Sequence, residues 1–138
     1  MIKSVTIGEE IVVTTRNKIG ILADTAVIMA NNGVNIDALL GYETGFTAKL
    51  LFITSGNLGV LNELRKKKYK TIKETEVLVV ELSNKPGALK VVAMELKNNK
   101  IDVRHVYITS PSTGDSSKMI LQTSDNEKAM VLLSRFVT

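Results

Sequence analysis

Hydrophobic and polar positions alternate along this chain in two ways, one with the two-residue period of strands and one with the spacing of helices. Glu10 to Thr15 and Val77 to Leu82 are β-branched runs that read as strands. An asparagine turn follows each, at Asn17 and Asn84. Helices are then predicted from about Gly20 to Asn32 and from about Pro86 to Asn99. Leu22, Ala26 and Met29 mark the apolar stripe of the first, and Leu89, Ala93 and Leu96 that of the second. Pro86 suits a first helical turn, where its missing N–H leaves no bond unmade. Asn32-Gly33 closes the first helix in left-handed geometry, and Asn99-Lys100 does so less comfortably. Val34 to Tyr42 and Ile101 to Thr109 predict the next strands, followed by loops at Glu43-Thr44-Gly45 and Ser110 to Ser117. Lys49 to Thr54 and Lys118 to Thr123 return. The last helices are Asn57 to Tyr69, with Asn57 as N-cap, and one opened by a capping box of Ser124 and Glu127. Short strands at Ser4 to Ile7 and Thr71 to Glu74 stand ahead of each set.

The two sets are copies. Under a shift of 67 positions, which takes Val13 to Val80, Asn17, Lys18, Gly20, Leu22, Ala26, Asn31 and Asn32 recur as Asn84, Lys85, Gly87, Leu89, Ala93, Asn98 and Asn99. Lys3-Ser4-Val5 falls on Lys70-Thr71-Ile72, and Glu9 on Glu76. A repeat of this length is a duplicated supersecondary unit. The predicted fold is α+β: two ferredoxin-like βαββαβ sandwiches with antiparallel sheets and helices on one face. The units are residues 1–69 and 70–138, with the leading strand, residues 3–8, available to complete the second. The second copy has no strand after its last helix, so Ser4 to Ile7 is expected against Val77 to Leu82, covering an open edge. A local hairpin through Gly8-Glu9 is the competing arrangement.

The chain is 138 residues with a net charge of +4, one histidine and no cysteine. Disulfides and thiolate metal sites are therefore excluded. The N-terminus lacks the apolar run of a signal peptide, and no stretch approaches the ~20 apolar residues that span a bilayer. A cytoplasmic protein without membrane contact is expected. The basic cluster Arg65-Lys66-Lys67-Lys68 and Lys70 closes a predicted helix, where cations complement the dipole, and nucleic acid is not expected to bind there. An RNA-recognition module of the same fold would need sheet aromatics, but Tyr107 stands alone on the predicted strands of copy two and Phe52 among apolar neighbours. His105 has no partner histidine or cysteine, and no nucleophile–base pair or phosphate loop is present, so neither catalysis, metal nor cofactor is expected.

The segments Asn17-Lys18-Ile19-Gly20-Ile21-Leu22 and Asn84-Lys85-Pro86-Gly87-Ala88-Leu89 resemble the signature loop of ACT domains, small amino-acid-sensing regulatory modules. Asn31-Asn32-Gly33-Val34-Asn35-Ile36 and Asn98-Asn99-Lys100-Ile101-Asp102-Val103 are similar to the helix-to-second-strand junction of that family. The resemblance covers both halves and implies a freestanding tandem pair. Its ligand positions carry over to Asn17, Gly20, Ile21, Leu22, Asn35 and Ile36, and to Asn84, Gly87, Ala88, Leu89, Asp102 and Val103. Copy one departs from the pattern with Ile19 in place of proline, and copy two with Lys100 and Asp102, so the two sites are not expected to be equivalent. Independently of the resemblance, unpaired N–H groups at a helix start suit a carboxylate, glycine admits close approach, and an Asn amide offers both donors and an acceptor.

The expected function is a non-enzymatic regulatory module that binds a small amino acid or related metabolite and signals to a separate partner enzyme or regulator. The alternative is an interaction subunit that binds no metabolite. Ala23, Val27, Ile28 and Ala30 are read as outward positions of the first helix, where copy two has Lys90, Met94, Glu95 and Lys97. An all-round apolar helix implies a buried face, hence a homodimer.

Overall fold

The computed structural model describes residues 1–67, 69, 71–110 and 114–138. Lys68 and Lys70 of the basic cluster, and residues 111–113 of the second predicted loop, lie outside the described residues. The elements are β1 (Ile2–Arg16), α1 (Ile21–Asn31), β2 (Ile36–Thr44), β3 (Thr47–Thr54), α2 (Asn57–Arg65), β4 (Thr71–Ser83), α3 (Ala88–Asn98), β5 (Val103–Thr109), β6 (Ser116–Thr123) and α4 (Asn126–Ser134). Hydrogen-bonded neighbours follow the order β2-β3-β1-β4-β6-β5, and the registered pairs are antiparallel. The fold is α+β of ferredoxin-like type. No helix among the described residues is long and apolar enough to cross a membrane.

The chain divides into two compact units, Glu9–Thr75 (the first unit) and Met1–Gly8 with Glu76–Thr138 (the second). The short strand before Gly8-Glu9 does not stand apart: it runs on into the next as one continuous β1, and β4 is likewise unbroken. Gly8 serves close approach rather than a turn. A Cβ there would lie 2.9 Å from Val79 Cγ2, nearer than real Cβ contacts allow.

In the first unit, Ile11 to Arg16 pair with Phe52 to Thr47, and β2 flanks β3. Alternate residues Ile11, Val13, Leu50 and Phe52 meet Ile28 and Met29 of α1 and Val60, Leu61 and Leu64 of α2. The stripe of α1 differs from the expected one. Ile21, Thr25, Ile28 and Met29 are its buried residues, while Leu22 is 50% exposed. Gly20, with φ 93°, caps the helix, so the first helical residue is Ile21 and the inward positions follow it at four-residue intervals. Ile28 is therefore a core residue, 4% exposed, and not an outward one. The buried Thr25 hydroxyl donates back to the carbonyls of Ile21 and Leu22 at 3.1 and 3.0 Å, which leaves no orphaned donor.

In the second unit, Leu78 to Ser83 pair with Leu121 to Ser116, and β5 lies outside β6. Leu78, Val80, Leu82, Met119 and Leu121 pack on Ala88, Val92 and Leu96 of α3 and Ala129, Leu132 and Leu133 of α4. The inward stripe of α3 is again one residue earlier than Leu89 and Ala93. Ile2 and Val5 enter the same core from β1. The Ser83 N–H donates to Met1 O at 2.7 Å, the Thr6 hydroxyl to Val79 O at 3.5 Å, and the Ser4 hydroxyl to Glu81 Oε2 at 3.5 Å. Beyond α4, Val137 bridges Ile2 in parallel, and the Thr138 N–H donates to Ile2 O at 3.1 Å.

Details of the two units repeat. β2 shifts register between Ile36 and Ala38, and β5 between Val103 and His105. Asn32 Nδ2 donates to Ile28 O, and Asn99 Nδ2 to Glu95 O. Asn57 Nδ2 donates to Glu9 O, and Asn126 Nδ2 to Glu76 O. Asn57 and Asn126 are 69 positions apart, like Thr54 and Thr123, so the shift of 67 does not hold to the end: two extra residues precede β6. The caps of the last helices also depart from expectation. α2 is capped by Gly56, and α4 by Asp125, whose carboxylate accepts the Lys128 N–H at 3.0 Å. Ser124 Oγ instead accepts the Asp102 N–H at 3.0 Å.

Candidate functional site

β4 passes to α3 through a tight turn. The Lys85 N–H donates to Ser83 O at 2.8 Å, the Ala88 N–H to Lys85 O at 3.3 Å, and the Asn84 N–H to Asp115 O at 2.7 Å. Gly87 is the cap of α3, with φ 92°, a conformation open to glycine at no steric cost. This turn overlies a cavity of about 170 Å³. One side is polar, with Ser83, Asn84, Ser110 and Ser117; the other is apolar, with Ala88, Leu89 and Ile108. Ser117, 6% exposed, donates from Oγ to Asn84 Oδ1 at 3.3 Å, and its hydroxyl lies 2.7 Å from that of Ser110. Asn84 Nδ2 has no partner among the described residues. The arrangement offers an amide donor and rotatable hydroxyls around one small space beside a helix start.

The first unit repeats the backbone of this turn without its hydroxyls. The Asn17 N–H donates to Phe46 O at 2.6 Å, Gly20 caps α1, and Gly20 O accepts the Asp24 N–H at 2.9 Å. Ala48 occupies the strand position of Ser117, and Gly41, opposite Leu50, that of Ile108, opposite Met119. Ile21 is buried, while Asn17, Gly20 and Leu22 are exposed.

The remaining expected residues stand elsewhere. The Asn35 N–H donates to Ser55 Oγ at 2.9 Å, and the Ser55 N–H returns to Asn35 O at 3.0 Å. Asp102 and Ser124 exchange the same two bonds. These residues tie the end of one helix to the start of the next, with Ile36 and Val103 opening β2 and β5. An 11-residue helix separates them from Asn17 or Asn84 in their own unit, a distance of about 16 Å at 1.5 Å per residue. Within a unit the structure thus brings Asn84, Ala88 and Leu89 to one cavity and sets Asp102 and Val103 apart from it. The serines on the cavity wall were not singled out by sequence. Their signal is Ser117, a polar residue on the inward phase of β6, in step with Met119 and Leu121.

Among the described residues no cluster of three His, Asp or Glu side chains is placed to hold a metal. His105 stacks on Tyr107, with ring centroids 6.2 Å apart. Tyr69 is held above the ordinary phenol pKa, first by burial and then by the Asp24 carboxylate.

No protein-family model matches the chain, and no curated protein sequence does. Solved structures do. A protein of Bacteroides thetaiotaomicron superposes with a TM-score of 0.86 at 20% identity, over 95% of this chain and 89% of that one. The regulatory subunit of aspartate kinase from Thermus thermophilus, in its ligand-free form, gives 0.64 at 10% identity over 98% of each chain. The corresponding subunit from Thermus flavus gives 0.55 at 10% over 97% of each. The likeness is one of fold.

Proposed function

We propose that this chain is a tandem pair of ACT-type modules, residues 1–69 and 70–138 with the leading strand serving the second, that binds a small amino acid or related metabolite. The observation that carries this reading is the serine- and asparagine-lined cavity under the β4–α3 turn. Asn84 and the α3 start suit the carboxylate, and the hydroxyls of Ser110 and Ser117 suit the ammonium or a short polar side chain. A cavity of about 170 Å³ is small, and its size favours an amino acid with a short side chain. Regulatory subunits of aspartate kinase share the fold, which supports a regulatory part for this chain too.

Binding reports to a separate enzyme only if the ligand favours one state of their assembly, and the coupling is the difference in affinity between states. The reading assigns no catalytic step, metal, cofactor, nucleic acid or membrane to the chain, and places it in the cytoplasm. It also pairs two copies through the outward face of α1, where Leu22 is 50% exposed and Ala23 and Ala30 are exposed beside it. Thermal-shift measurement against each protein amino acid tests the binding, because a ligand of the folded state raises the melting temperature. Calorimetry on a stabilising amino acid should then show Asn84→Ala weakened by about 1–3 kcal/mol. No stabilising amino acid, or an unchanged affinity in that variant, overturns the site.

A further inference from the structure

A cavity of the first unit lies in the crevice between α1 and α2, with Lys18 of the loop at its rim. It measures about 470 Å³. Its floor is Thr15, 6% exposed, and Ile28, 4% exposed. Its rim carries two cations and two anions, Lys18 and Lys67 with Asp24 and Glu63, and it is completed by Asn31 and Tyr69. Lys18 Nζ and Asp24 Oδ2 are 3.9 Å apart, the one ion pair formed among these four groups. Glu63 and Lys67 are without an ion-pair partner among the described residues. Tyr69 packs half-buried on the core of the first unit, so its ring is held in place while its hydroxyl stays protonated beside Asp24.

The second unit does not share this chemistry. With the two-residue insertion counted, Asp24, Glu63, Lys67 and Tyr69 correspond to Val91, Leu132, Phe136 and Thr138. Only Lys18 and Asn31 keep their type, as Lys85 and Asn98. A crevice kept for helix packing alone would need no charge. Opposite charges around one open space with a phenolic donor match a molecule that itself carries both charges.

We propose that the α1–α2 crevice of the first unit is a second binding site, for a zwitterionic small molecule of the α-amino-acid class. Lys67 and the Tyr69 hydroxyl take the carboxylate; Glu63 and the Asn31 carbonyl take the ammonium; Val27 and Ile28 face the side chain. The choice of amino acids as probes rests on the reading given above, but the site does not depend on Asn84.

The test is an NMR titration of the full chain with each protein amino acid at millimolar concentration, following the amides of residues 24–31 and 63–67 separately from those of residues 83–89. Movement in the first group that is lost in Lys67→Met, weakened about tenfold or more in Tyr69→Phe, and kept in Asn84→Ala is the expected result. Movement confined to residues 83–89 overturns the crevice site and leaves the loop site standing. Movement confined to the crevice does the reverse. No movement in either group overturns both. Tyr69→Phe keeps the packed ring, so an unfolded Lys67→Met would still leave the proposal open to refutation.

Discussion

Lys100 should be a net burden on this fold, and replacing it with glycine should stabilise the protein. It is the one non-glycine with positive φ among the described residues, at 57°, and it stands where the first unit has Gly33, at 65°. Both positions close a helix by the same two bonds. The Lys100 and Ile101 N–H groups donate to Lys97 O and Leu96 O at 3.1 and 3.0 Å, and those of Gly33 and Val34 to Ala30 O and Met29 O at 3.0 and 3.2 Å. This ending requires a left-handed residue, which costs a side-chain-bearing amino acid roughly 1–2 kcal/mol. Glycine removes that cost but gives back about 0.4–1 kcal/mol through the freer unfolded chain. The exposed Lys100 ammonium also complements the helix end by a few tenths, an effect that salt screens. Lys100→Gly in high salt should therefore gain about 0.5–1 kcal/mol, a rise of roughly 2–4 °C in melting temperature for a domain of this size. Gly33→Ala should lose about 1 kcal/mol, since nothing lies within 4 Å of its added Cβ and the backbone alone is strained. Calorimetric melting of both variants measures the two effects. A Lys100→Gly protein that melts no higher than the parent, beside a Gly33→Ala protein that melts no lower, refutes the reasoning.

Deleting residues 1–8 removes Ile2 and Val5 from the core of the second unit, about 1.5–3 kcal/mol for each side chain. Amide exchange should quicken along Val77–Ser83 and α3 while Val13 and Leu50 of the first unit keep their protection; unchanged exchange along Val77–Ser83 counts against the assignment of β1 to that unit. Ala23→Glu, on the outward face of α1, should shift sedimentation from dimer to monomer, and a parent that already sediments as a monomer removes the proposed self-association.

The α+β class and the ferredoxin-like element order were legible because the branched runs and the helical spacing each occur twice, so that each copy corrects the other. The phase of the helices was not. Leu22 and Leu89 recur at the same place in both helix starts and draw the stripe to themselves, but it is Gly20 and Gly87, left-handed at the cap, that fix which residue turns inward first. The same error placed Ile28 outside. At the candidate site, Asn84, Ala88 and Leu89 were visible as a local motif. Ser110 and Ser117 were not, because they reach the cavity from a distant strand pair, on either side of the segment that holds the second copy's two extra residues.

The path of β1 sets the order of synthesis against the order of assembly. Residues 9–75 form the first unit from one contiguous stretch, which is complete as soon as β4 begins to emerge from the ribosome. Met1–Gly8 is translated before that stretch, yet its partners come after it: Lys3 Nζ reaches Ser116 Oγ, and Ile2 bridges Val137. Throughout that interval Ile2 and Val5 have no core to enter, and the loop that must finally close spans 113 positions between Lys3 and Ser116. Closure over such a separation slows folding more than it weakens the product, so the waiting strand is the part of a nascent molecule best placed to pair with a neighbour's edge instead of its own.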